Sequence, residues 1–273
     1  MLRNYKIGFI GAGNMTEAIV RGITTKTNPA LIAVSDINEA RLDMFKTQYK
    51  VGQANIDNKR TVDFCDILFI ATKPQIIPDV LDELKDDIGD RLVVSIAAGV
   101  QCPTIESHLP EGTRVVRVMA NTPALVMTGA TAVCAGSHAT DDDVDLIKSI
   151  FELVGVCVVV KEDRMDAITG LSGSGPAFVY MFIDALSDGG VNMGLTRANA
   201  TLLAAQTVMG AAKMVLETGV HPCQLKDNVT TPAGTTIKAL HAMDKAGFRP
   251  AVIDAVEAAT LKSRELGKTK KDD

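Results

Sequence analysis

"KIGFIGAGNMTEAIVRG", Lys6 to Gly22, sets a glycine-rich turn between an apolar run and an amphipathic one. Ile7, Phe9 and Ile10 read as a buried strand, and Ala18, Ile19 and Ile23 then recur at helical spacing. In that context Gly11 permits a sharp turn and Gly13 lets backbone N–H groups approach a pyrophosphate. The helix opening at Asn14 and Met15 points the positive end of its dipole at the phosphates. Thr16 holds the third position of the G-x-G-x-x-G pattern, where a small residue normally allows close helix packing. The same stretch would also serve as a strand-to-helix turn without a ligand, so its surroundings decide.

The 273 residues are enough for two modest domains, each with its own core. A hydrophobic content of 47%, 22% charged residues and a net charge of −5 describe a globular chain with no electrostatic reason to bind nucleic acid. No apolar run approaches the roughly 18 residues of a membrane span. The first residues, "MLRNYKIGFIGAGNM", lack the layout of a signal peptide, and a cytoplasmic protein is expected. Cys65, Cys102, Cys134, Cys157 and Cys223 form no C-x-x-C pair and are odd in number, so neither a disulfide framework nor a zinc site follows from their spacing. They read as small core residues, and no metal is expected.

"LIAVSD" (Leu31 to Asp36) and "DILFIAT" (Asp66 to Thr72) are nearly continuous in apolar residues, as strands buried on both faces are. "LVVSIAAG" and "RVVRVMAN" continue the series, with amphipathic segments at Gln75 to Lys85 and Thr104 to Leu109 between strands. Alternation of this kind predicts a doubly wound α/β domain with a parallel sheet over residues 1–162, extended by "ATAVCAG" and "VCVVV" around a helix from Asp141 to Val154. Residues 163–273 hold no strand-like run and read as all-helical. "SGSGP", "DGGVNMG", "TGVHP", "TTPAG" and "AGFRP" are the expected helix boundaries, and the tail "GKTKKDD" is expected to fray.

Asp36 ends the second strand about 20 residues beyond the glycine turn, where an acidic residue takes the ribose hydroxyls of a dinucleotide. Ser35 stands beside it. Thr72, Lys73 and Pro74, Ala97 in "AAG" and Asn121 in "NTP" fall at the carboxyl ends of strands and would line the same crevice. In the helical half, "TTPAGTT" (Thr230 to Thr236) precedes Ile237, Leu240 and Met243 at helical spacing. Hydroxyls and free backbone N–H groups there make either an anion site at a helix start or a threonine-capped helix. Ser174 and Gly175, ahead of a long helical stretch, are either part of the same pocket or a plain helix start.

"KDNVTTPAGTTIKALHAMD" (Lys226 to Asp244) closely resembles the signature of the pyrroline-5-carboxylate reductases. So do "IGFIGAGNM", "ATKPQ", "VVSIAAGV", "VMANTPALV", "GLSGSGPAFVYMFIDAL" and "AAKMVLETGVHP", in the same order. The resemblance spans the chain. It implies a Rossmann domain followed by a helical domain that dimerises by interleaving, and hydride transfer from NADPH or NADH to a cyclic imine. By resemblance, backbone N–H groups near Gly234 and Thr235 hold the substrate carboxylate, and Thr230 and Thr231 belong to the same substrate-binding loop. The hydroxyl of Thr236 meets the ring nitrogen, and Lys73 is either on the nicotinamide side of the cleft or a solvated charge after its strand. An imine is basic enough to arrive protonated, so orientation rather than a strong acid carries the catalysis. Three residues depart from the pattern: Thr16, Ala120 where "MPNTP" is common, and Ala233 in place of the first glycine of "PGGTT". The related β-hydroxyacid dehydrogenases use a lysine on the first interdomain helix, and none occurs between Met165 and Gly190. A silent dinucleotide sensor is the remaining alternative.

Overall fold

The computed structural model describes residues 4–267, and the tail beyond Gly267 lies outside them. The first half alternates strands and helices: β1 (Ile7–Ile10), α1 (Asn14–Ile23), β2 (Ile32–Ser35), α2 (Glu39–Thr47), β3 (Gln53–Asn55), α3 (Asn58–Phe64), β4 (Ile67–Ile70), α4 (Ile77–Leu84), β5 (Leu92–Ser95), α5 (Cys102–Glu106), β6 (Val115–Met119), β7 (Gly129–Ala135), α6 (Asp141–Phe151) and β8 (Gly155–Val159). They build one eight-stranded sheet in the order β3-β2-β1-β4-β5-β6-β7-β8.

Every residue of β1, β2, β4 and β5 is buried, as their unbroken apolar runs require. Alternate side chains serve opposite faces. Phe9 and Phe69 stack at 4.7 Å in one core with Ile19, Phe45 and Phe151, while Ile10, Leu68 and Ile70 join Leu81 and Leu84 in the other.

The parallel sheet expected from the sequence needs one correction, because β7 runs antiparallel to β6. The segment 120–128 between them holds only a short 3-10 turn over Thr122–Val126 and is too short for a crossover helix, so the chain must return antiparallel. Parallel pairing resumes at β8, which follows α6. Strand β3 was not expected: its three residues, Gln53, Ala54 and Asn55, are half-buried with no apolar run, and it sits at the sheet edge.

No strand occurs among the described residues after β8. The helices are α7 (Met165–Ile168), α8 (Gly175–Asn192), α9 (Arg197–Thr218), α10 (Pro222–Asn228), α11 (Thr235–Lys245) and α12 (Phe248–Gly267), with a π-helical segment over Thr169–Gly173. Two expected boundaries fall within their stretches: α8 starts at Gly175 inside "SGSGP", directly after the π-segment, and ends at Asn192 inside "DGGVNMG", with Gly194 at φ 93°. By internal packing the chain forms two compact units, one running to Ser174 and resuming at Glu257, the other Gly175–Val256. Within the second unit only Ser187, Ala200 and Ala204 are buried, while Met181, Leu202, Leu203 and Leu216 stand exposed.

Candidate active site

The strand order reverses about β1, since β2 and β3 lie to one side of it and β4 onward to the other. Ligands of open α/β sheets bind beyond the carboxyl ends of the strands at such a point. Gly11 sits there at φ 105°, and a Cβ on it would lie 2.6 Å from the Ala71 carbonyl oxygen, so only glycine fits. Gly13 is the helix N-cap of α1, exposed and without a side-chain cap, and a Cβ on it would meet nothing within 4 Å. Open space over uncapped N–H groups at exposed Asn14 and half-buried Met15 is what a pyrophosphate needs. Thr16 is fully buried, and its hydroxyl donates to the Gly11 carbonyl at 2.6 Å. The departure from glycine therefore points into the protein and locks the turn instead of filling the crevice.

Asp36 is fixed by two backbone donors: Ala12 N–H at 2.6 Å and Asn38 N–H at 2.8 Å. Arg41 donates to the Ala12 carbonyl at 2.7 Å and pairs with Glu17 at 2.9 Å. Tyr49 completes this group by donating to Glu17, and burial first and Glu17 second push its phenol above the usual range. Ser35, expected beside the cofactor, is fully buried and donates to Asn58 Oδ1, so it braces the strand end from inside.

Just beyond β4, the Thr72 hydroxyl is buried with no hydrogen-bond partner among the described residues. Lys73 is exposed and Pro74 opens a 3-10 turn. Ala97 is buried with its N–H near Ser95 Oγ. Asn121 is 8% exposed and already engaged, since its amide donates to the Ser172 carbonyl and accepts from Ala130 N–H. It therefore ties the end of β6 to the π-segment. These residues fit a dinucleotide at the glycine turn, with Asn121 as a brace.

In the second unit, α11 begins at Thr235, and its N-cap, Gly234, provides no side-chain cap. Gly234 N–H is donated to the Thr231 carbonyl at 3.1 Å, so the free donors begin at Thr235, one residue later than expected. Gly234 has no room for a Cβ, which would lie 2.3 Å from Thr231 Oγ1. Thr230 spends its hydroxyl proton on the Lys226 carbonyl, closing the end of α10. Thr236 is half-buried, and its hydroxyl has no partner among the described residues. Ala233, one of the three departures, adopts φ 58°, the left-handed conformation that its glycine counterpart takes without strain.

Ser174 N–H closes the π-turn on the Thr169 carbonyl at 2.9 Å, and nothing lies within 4 Å of a Cβ on Gly175. π-turns of this type gather at functional sites. Arg117 was missed from the sequence. It is 2% exposed, 3.3 Å from Glu162 and 3.9 Å from Asp166, which accepts from Ser263 of α12. Its signal was present, because a charge inside "VVRVM" must find partners within the protein.

Comparison with known proteins gives a consistent result. A family model described as pyrroline-5-carboxylate reductase dimerisation matches residues 162–266, and one described as NADP oxidoreductase, coenzyme F420-dependent, matches residues 6–99. A pyrroline-5-carboxylate reductase of Methanosarcina acetivorans is 50% identical, over 98% of this chain and all of its own. Human pyrroline-5-carboxylate reductase 2 is 47% identical, over 95% of this chain and 83% of its own. Among solved structures, the Coxiella burnetii pyrroline-5-carboxylate reductase superposes with a TM-score of 0.92 at 39% identity, over 98% of this chain and 100% of that one. A Plasmodium falciparum pyrroline carboxylate reductase with NADP bound gives 0.87 at 33%, over 97% and 99%. A glycine turn built for a dinucleotide, an uncapped helix start bearing Thr236, and near-identical length at up to half identity lead to one conclusion: the chain belongs to the pyrroline-5-carboxylate reductase family.

Proposed function

We infer that the chain reduces Δ1-pyrroline-5-carboxylate to L-proline with NADPH or NADH, the last step of proline synthesis. When bound, the dinucleotide supplies the hydride for the ring carbon of the C=N bond, and a proton completes the nitrogen. The chain's own residues bind and orient. Gly11, Gly13, Asn14 and Met15 receive the pyrophosphate, Asp36 the ribose, and Thr72, Lys73, Pro74 and Ala97 line the rest of the crevice. The free N–H groups at Thr235 and Thr236 hold the substrate carboxylate without a cationic side chain, using the partial positive charge of the α11 amino end. Thr231 and Gly234 shape that loop, and Ser174 and Gly175 are assigned to the substrate pocket with them. The Thr236 hydroxyl, which has no partner among the described residues, hydrogen-bonds the ring nitrogen, and this observation carries the assignment.

Residues 1–162 are read as the cofactor domain and 163–273 as the substrate-binding and dimerisation domain, in keeping with the family model over 162–266. Two copies assemble through the apolar helices of the second domain, as a homodimer or a multiple of it. No helix among the described residues is long and apolar enough to cross a membrane, and a cytoplasmic location without nucleic-acid partners is proposed. Steady-state oxidation of NADPH and NADH with Δ1-pyrroline-5-carboxylate, against a 2-keto acid control, tests the activity. Turnover with the imine alone is expected. Equal turnover with the keto acid would move the chain to the hydroxyacid dehydrogenases, and binding without turnover would make it a sensor.

A further inference from the structure

The cysteines are scattered in sequence, yet the fold gathers two of them. Cys102 opens α5 and Cys134 lies on β7, each 1% exposed. Both sulfurs and a carboxylate oxygen of Glu162 lie within 4.8 Å of one another. Glu162 accepts from Cys102 N–H at 2.5 Å and faces Arg117 at 3.3 Å, and Arg117 is paired in register with Cys134 across β6 and β7. We propose that Cys102, Cys134 and Glu162 form a binding site for a zinc-like divalent cation, with a fourth coordination position open to water where the Glu162 side chain reaches solvent.

The donor chemistry selects the ion. Two thiolates and one carboxylate suit zinc or cadmium, whereas magnesium and calcium require oxygen ligands throughout. Tetrahedral zinc, with metal–sulfur bonds of about 2.3 Å and metal–oxygen bonds of about 2.0 Å, sets its donors roughly 3.5–4 Å apart, so shifts below about 1 Å complete the shell. Binding breaks two S–H bonds, forms two metal–sulfur bonds and releases two protons, with no change of oxidation state. Arg117, buried against Glu162, offsets part of the negative charge that the ligands would carry. Glu162 is 28% exposed and gives the ion its way in.

Position gives the site a consequence. Cys102 follows the loop bearing Ala97 and Gly99, and Glu162 precedes α7 and the π-segment, so a bound ion would tether a cofactor loop to the segment that Asn121 also holds. The test uses reduced full-length protein with Cys223, the exposed thiol, changed to serine. Cadmium titration is expected to give one thiolate charge-transfer band per chain, displaced by zinc, together with a raised Tm. Cys102→Ser and Cys134→Ser should abolish the band, and Glu162→Gln should weaken binding by about tenfold or more while keeping it. X-ray absorption of the zinc-loaded parent needs no further variant and should show two sulfurs with oxygen. A shell of oxygen and nitrogen alone, no band with intact thiols, or a band that survives loss of both cysteines would overturn the site.

Discussion

Thr236 and Asp36 carry the two sharpest consequences at the scale of single residues. Thr236→Val keeps the side-chain volume but removes the one hydroxyl assigned to the ring nitrogen. A hydrogen bond to a charged or polar partner is worth about 1–3 kcal/mol. The expected result is a fall in kcat/KM for the imine on the order of 10 to 100-fold, with NAD(P)H affinity within about threefold of wild type by fluorescence titration. Wild-type efficiency would remove Thr236 from the nitrogen. Asp36 is pinned by the Ala12 and Asn38 N–H groups, and Arg41, the cation nearest in sequence, is committed to Ala12 and Glu17. A 2′-phosphate held about 5 Å from the carboxylate would be repelled by roughly 3 kcal/mol per charge at an effective dielectric near 20, less in salt. NADH should therefore compete well, and Asp36→Ser should shift the ratio of Kd values toward NADPH. An unchanged ratio would exclude Asp36 as the determinant. The sequence already marked both residues, by position after a strand and before a helix. What it could not supply was the company they keep: Ser35 turns inward, Thr230 is spent on a helix end, and the Arg117 network depends on contacts between distant segments.

Elements were legible wherever one physical signal dominated. Unbroken apolar runs gave the buried strands, and the threonine-rich break before Ile237 gave the start of α11. Weak or competing signals failed. β3 has no apolar run, and the antiparallel turn of β7 depends on loop length rather than composition. The loop proposed to bind the substrate holds the clearest element-scale prediction. Ala233 at φ 58° carries a left-handed penalty of roughly 1–2 kcal/mol, partly offset by the freedom glycine gains when unfolded. Ala233→Gly should thus stabilise the fold by about 0.5–1 kcal/mol in urea unfolding with an unchanged m-value. A loss of stability would mean that the alanine methyl makes contacts outweighing its strain.

For the whole molecule, the helical unit exposes too much apolar surface to stand alone. Tyr180, Met181, Leu202, Leu203, Met209 and Leu216 are all more than half exposed on α8 and α9. Patches of that extent mark an interface. Sedimentation at micromolar concentration should show a dimer or a multiple of dimers, and a fully active monomer would contradict the assembly. The central claim is that this fold places a hydride on the carbon of a cyclic imine whose carboxylate sits at the start of α11. Its most direct measurement is incubation of the protein with Δ1-pyrroline-5-carboxylate and nicotinamide cofactor deuterated at the transferable position, with the product analysed by chiral separation and mass spectrometry. L-Proline carrying one deuterium on the ring carbon that was doubly bonded to nitrogen is the expected result. Cofactor oxidation without labelled proline, or no oxidation at all by a folded, cofactor-binding protein, would contradict it.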